Sequence, residues 1–110
     1  MKDKATAYLR RKRKILIGRL PSHDAILRGS IIKRYKRCGK PGCKCAGGRG
    51  HGPKYYLSVS QSGGPPRMDY IPQKYQEQAE EYVANFYKTK QILEDISSIN
   101  RELLRRRERL

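Results

Sequence analysis

The sequence predicts an α+β fold: a short basic helix, a small antiparallel three-stranded sheet carrying a zinc knuckle of three cysteines and one histidine, and a long C-terminal helix. Three observations lead there. Apolar residues fall near helical spacing at both ends of the 110-residue chain, the middle holds short runs rich in Ile and Tyr or strictly alternating, and the cysteines crowd into a glycine-rich loop between two of those runs. The expected organisation is residues 1–21 as a basic helix, 22–71 as a zinc-knuckle β domain and 72–110 as a long helix, together forming one globular unit. Hydrophobic residues make up 36% of the chain, a thin core of the kind that small domains supplement with a metal or a partner.

In residues 4–20, Ala5, Tyr8, Leu9, Ile15, Leu16 and Leu20 recur near helical spacing with Arg and Lys between them, and Gly18 and Pro21 end the helix. Ser22 stands at an N-cap position ahead of Asp24, Ala25, Ile26 and Leu27, and Gly29 closes that turn. Ser30 to Arg37 reads as a strand, Cys38–Pro53 as a loop, and Lys54–Gln61 as a second strand. The alternation sends Tyr55, Leu57 and Val59 to one face and Lys54, Tyr56, Ser58 and Ser60 to the other. Ser62-Gly63-Gly64 is a hairpin turn signal, and Pro66–Ile71 a short third strand whose prolines suit a sheet edge.

Pro72 fits the first position of the last helix. Tyr75, Ala79, Tyr82, Val83, Phe86, Leu93, Ile96, Ile99 and Leu103 carry its pattern nearly to the end. Glu77, Glu80 and Glu81 lie early and Arg105, Arg106, Arg107 and Arg109 late, which complements the helix dipole. Ser97–Asn100 is a candidate break, and Lys90 and Asn100 interrupt the seam that a coiled-coil homodimer would use.

The formal net charge is +16, and it is lopsided: residues 1–54 hold 17 Lys/Arg against 2 acids, residues 55–110 hold 9 against 8. A field concentrated in one half attracts polyanions, either nucleic acid or an anionic membrane surface. No apolar run approaches the roughly 20 residues of a spanning helix. Ile15-Leu16-Ile17, behind the basic block, is too short for a signal-peptide core. The expected location is therefore the cytoplasm, in association with the nucleoid or a ribonucleoprotein, with thiols kept reduced.

The most specific stretch is CGKPGCKCAGGRGHG, residues 38–52. Cys38, Cys43, Cys45 and His51 have the spacing C-x4-C-x-C-x5-H, and three thiolates with one imidazole complete a tetrahedral zinc shell. Arg37, Lys40, Lys44 and Arg49 would offset the negative charge of such a centre. The competing readings are three reduced cysteines in a flexible basic loop with His51 simply exposed, and a redox thiol pair. Cys43 and Cys45 are two apart and would point opposite ways in an extended chain, so a tight turn must reverse one of them. Otherwise one ligand drops out or comes from another chain. His23 is a reserve ligand, although a lone His beside a helix start more often caps or faces solvent.

CGKPGCKC, followed by HGPKYYL and a long polar helix, resembles a family of small basic bacterial and archaeal proteins without an assigned reaction, often encoded beside mobile-element genes and in part labelled transposase-related. The resemblance spans roughly residues 26–104; many members carry an aromatic where this chain has Lys54. It implies zinc ligation by Cys38, Cys43, Cys45 and His51 and a link to transposition, and hence to DNA or RNA.

The expected phosphate contacts are Arg10, Arg11, Lys12, Arg13 and Lys14, then Lys33, Arg34, Lys36 and Arg37, then Lys40, Lys44, Arg49 and Lys54. A charge run is usually a solvated helix face, but these first five cations are consecutive and unrelieved by any acid. Tyr56 is the better candidate for stacking on a base; Tyr35 and Tyr55 are better suited to a core. Nothing matches a known RNA- or DNA-binding signature that would choose between the two nucleic acids.

The leading function is thus a non-catalytic, zinc-stapled nucleic-acid binder within a ribonucleoprotein or mobile-element machine. The alternative is a protein-interaction adaptor that uses the long helix. An enzyme is disfavoured, because Asp24 and Asp69 are isolated, the other acids sit mostly on the helix, and a filled four-ligand shell leaves no open metal position. Protein purified without chelator should hold close to one zinc per chain, and Cys43→Ala should abolish that and loosen the fold; metal-free protein with an unaffected Cys43→Ala variant would remove the knuckle.

Overall fold

The computed structural model describes residues 4–36 and 51–110, with side chains for 4–35 and 53–110. In chain order the elements are α1 (Thr6–Gly18), β1 (Ser30–Lys36), β2 (His51–Val59), β3 (Arg67–Ile71), a 3-10 turn (Gln73–Tyr75) and α2 (Gln76–Arg105). The α+β class and the order of elements match the expectation. The chain divides into two compact units, residues 27–83 and residues 1–26 with 84–110.

In the first unit the strands form one antiparallel sheet in the order β1-β2-β3. Residues directly opposite across antiparallel strands share a face. Ile31 opposes Leu57, and Tyr55 opposes Ile71. These residues, with Val59, Leu27, Ala79 and Val83, form the apolar cluster in which Leu57, Ile71 and Ala79 are buried. The alternation read along β2 therefore holds. The Leu27 amide donates to the Tyr82 carbonyl at 3.1 Å, tying the approach to β1 onto the start of α2.

Three boundaries differ from expectation. β2 begins at His51, inside the expected loop, and His51 pairs with Lys36. From Arg34 to Lys36 is two residues, whereas from Lys54 back to His51 is three, so the ladder is bulged there. Pro53, which has no N–H to donate, falls in this bulge, and that lets a strand run through a proline. Second, no helix follows Ser22. Its hydroxyl donates to Asp24 Oδ1 at 2.6 Å in a short turn, a stretch too brief to nucleate a helix before β1. Third, Pro72 leads into a 3-10 turn before α2 starts, and α2 continues unbroken through Ser97–Asn100.

In the second unit, Leu9 and Leu16 of α1 pack with Ile92, Ile99 and Leu103 of α2, supported by Leu20 and Ile96. Of the apolar positions read along the last helix, Ile96, Ile99 and Leu103 thus pack with α1 of the same chain, whereas Leu93 is exposed. α2 runs on through Asn100, whose side-chain oxygen accepts from Arg13 Nη1 at 2.7 Å. Glu102, buried, lies 3.4 Å from Arg105 and 3.6 Å from Arg106. Arg106 in turn donates to the Lys4 carbonyl at 2.5 Å. The tail of α2 and the start of α1 are joined by this relay, whose buried carboxylate is held by two cations.

Gly29 fixes the entry into the sheet. Its φ is +144°, and an added Cβ would stand 2.8 Å from the Ser58 carbonyl oxygen and 3.0 Å from Leu57 Cδ1. Strain of that kind costs about 1–3 kcal/mol. Gly29→Ala should lower unfolding stability by about that amount in urea titration, whereas Gly18→Ala, with open space around it, should not lower it.

Candidate nucleic-acid interface

The face of the sheet opposite the apolar cluster is set by the same pairing. Ile32, Tyr56 and Tyr70 form one cross-strand row, Ser30, Ser58 and Met68 the row beside it, and Arg34 opposes Lys54 in the row on the other side. The sheet thus turns two aromatic rings and two cations to one side. The Tyr56 and Tyr70 rings lie 5.6 Å apart at 62°. Lys54 Nζ stands 5.9 Å from the Tyr70 ring centre, at the limit of a cation–π contact. Tyr70 is 55% exposed and Tyr56 half-buried.

Arg34 and Lys54 are like charges facing across the ladder, an arrangement that weakens a sheet by itself. Among the described residues, neither makes an ion pair. The nearby acid, Asp69, sits opposite Leu57, in the alternate register to that row, and pairs with Arg67 at 3.8 Å. Lys33, opposite Tyr55, belongs to the other face and stands 6.0 Å from that ring. Tyr70 was not singled out by the sequence. The alternation of Met68 and Tyr70 against Asp69 and Ile71 was its one signal, and only the register shows that it lands beside Tyr56.

The basic run on α1 is not one continuous contact surface. Arg10 Nη2 donates to the Arg109 carbonyl at 2.6 Å and Arg13 to Asn100, so both serve the helix pair. Arg11, Lys12 and Lys14 are exposed. Of the other expected cations, Lys36 is placed by its backbone pairing alone, and Arg37, Lys40, Lys44 and Arg49 lie outside the described residues. So do Cys38, Cys43 and Cys45, while His51 is described as a strand residue without its side chain. Among the described residues no group of three or more His, Cys, Asp or Glu could hold a metal ion. His23 lines an apolar hollow of about 260 Å³ with Leu20, Ile26, Thr89 and Leu93, an environment without a second metal ligand. No helix of the described residues is long and apolar enough to cross a membrane.

The family described as a domain of unknown function, DUF6788, matches residues 6–81. No curated protein and no solved structure matches the chain.

The two kinds of cation on α1 separate in a stability assay. Arg13→Ala should cost about 1–2 kcal/mol, because it strands a part-buried Asn100 oxygen, whereas Lys14→Ala should be close to neutral in the same denaturation curve.

Proposed function

Because the chain belongs to the DUF6788 family, whose description carries no activity, we propose its function from its own residues: it binds nucleic acid without reacting on it, as a component of a ribonucleoprotein or of mobile-element machinery. The observation that carries this reading is the outward sheet face, where Arg34 and Lys54 oppose each other beside the Tyr56–Tyr70 row. Two cations held side by side at a cost in the isolated sheet become favourable once phosphates lie over them. Exposed Arg11, Lys12 and Lys14 add to the field of a chain whose net charge is +16. A row of two cations beside a row holding two aromatic rings suits a ligand that carries both phosphates and bases.

In this reading Cys38, Cys43, Cys45 and His51 hold a zinc ion, and Arg37, Lys40, Lys44 and Arg49 offset its thiolate charge and add to the basic field. The donor set is complete for zinc. Its support from the fold is the Lys36–His51 pair, which returns the chain beside the point where it left the sheet. The zinc has a structural role here: it supplies a crosslink in a domain with a small core.

Mobility shifts at about 50 and 300 mM salt test the reading. Affinity for RNA or DNA should fall steeply between them. Replacing Arg34 and Lys54 by Gln should reduce the slope of log affinity against log salt by about 1–2. Absence of binding to either nucleic acid at the lower salt would leave the adaptor reading in its place.

A further inference from the structure

We infer that the outward sheet face takes unpaired bases, so that the ligand is single-stranded nucleic acid, with Tyr70 as the stacking ring and Tyr56 as the residue that positions it. This rests on the nucleic-acid reading above and names the form of the ligand. Three observations carry it.

The first is geometric. The rings stand at 62° to each other with centres 5.6 Å apart. Two successive stacked bases need near-parallel platforms, and these are not parallel. A base lying flat on one ring therefore meets the other nearly edge-on. Tyr70, at 55% exposure, is the more open of the two rings, with Lys54 Nζ 5.9 Å from its centre and the half-buried Tyr56 bracing it. Bases in a duplex keep their faces inside the stack and present only their edges in the grooves. An exposed aromatic face on an open sheet is useful chiefly to a base that has left the stack.

The second is the room beside it. A hollow of about 400 Å³ adjoins Tyr70 at the end of the sheet, where the two faces meet: Lys54, Pro53, Gln73 and Gln76 bound it, and so do Tyr55 and Ile71 of the cluster face. That is the size of a small-ligand site. Its two side-chain amides each offer donors and an acceptor, the chemistry that a base edge requires.

The third is the charge. Lys54 borders both the hollow and the Tyr70 ring, and Arg34 stands opposite it. The phosphates flanking a base on Tyr70 would run beside that pair, which gives the backbone its counter-charge without a base-specific contact.

The test compares a fluorescently labelled ten-nucleotide single strand, as RNA and as DNA, with a duplex of the same sequence, at about 50 mM salt. Polarisation with full-length protein should favour the single strand of either sugar by at least tenfold over the duplex. Tyr70→Ala should weaken single-strand binding roughly 5- to 100-fold and leave duplex binding unchanged, while Tyr70→Phe should retain it. Tyr70 is exposed enough for both variants to fold, and circular dichroism checks that they have. Salt-sensitive binding of duplex and single strand with equal affinity, unmoved by Tyr70→Ala, would overturn the stacking assignment and leave the broader nucleic-acid reading standing. No binding to any of the three probes would overturn both.

Discussion

The two-residue period of β2 is the constraint on which the rest of the sheet depends. As the central strand it pairs on both sides, and each pairing must agree about which residues point inward. Leu57 faces the cluster with Ala79 and Val83, so Tyr56 cannot, and Tyr70 joins Tyr56 because β3 pairs in the same phase. A slip of β2 by one residue would turn Tyr56 toward the cluster and Leu57 out of it. The core and the candidate interface are thus two faces of one register. The bulge at Gly52–Pro53 shows where that phase is adjusted, just after the chain has passed through the cysteine-rich segment.

Positive charge does different jobs in the two units. On α1, Arg10 and Arg13 close the helix pair against the Arg109 carbonyl and Asn100, and Arg105 and Arg106 neutralise buried Glu102. These guanidiniums are structural: the low exposure of Leu9 and Leu103 depends on the helices they hold together. On the sheet, Arg34 and Lys54 contribute nothing comparable to packing. A net charge cannot separate these uses, because it counts an arginine that satisfies a helix end and one that waits for a phosphate alike.

The elements that could be read from sequence were those set by local pattern. Helical spacing placed α1 and α2 within a few residues of Thr6–Gly18 and Gln76–Arg105, and alternation placed Tyr55, Leu57 and Val59 together. What could not be read depends on partners distant in the chain. Asn100 looked like an interruption until Arg13 was found against it. His51 looked like a loop residue because Gly52 and Pro53 follow it, and only a paired neighbour makes a bulged strand of such a sequence. Half of the aromatic row was visible: Tyr56 by its alternation within one strand, but not Tyr70, whose place depends on how a second strand docks. The three cysteines, the most explicit signal in the sequence, lie outside the described residues.

β1 lies at one margin of the sheet, so its outer backbone groups have no strand beside them among the described residues. Bare margins of this kind recruit other chains, and natural proteins blunt them with lysine and arginine. Lys33, Arg34 and Lys36 place three cations within the seven residues of β1. Solubility is therefore a second property vested in the side chains credited with ligand attraction. Neutral variants of this strand would be expected to stick to one another, and a saturating polyanion would mask the same guard in the unaltered chain.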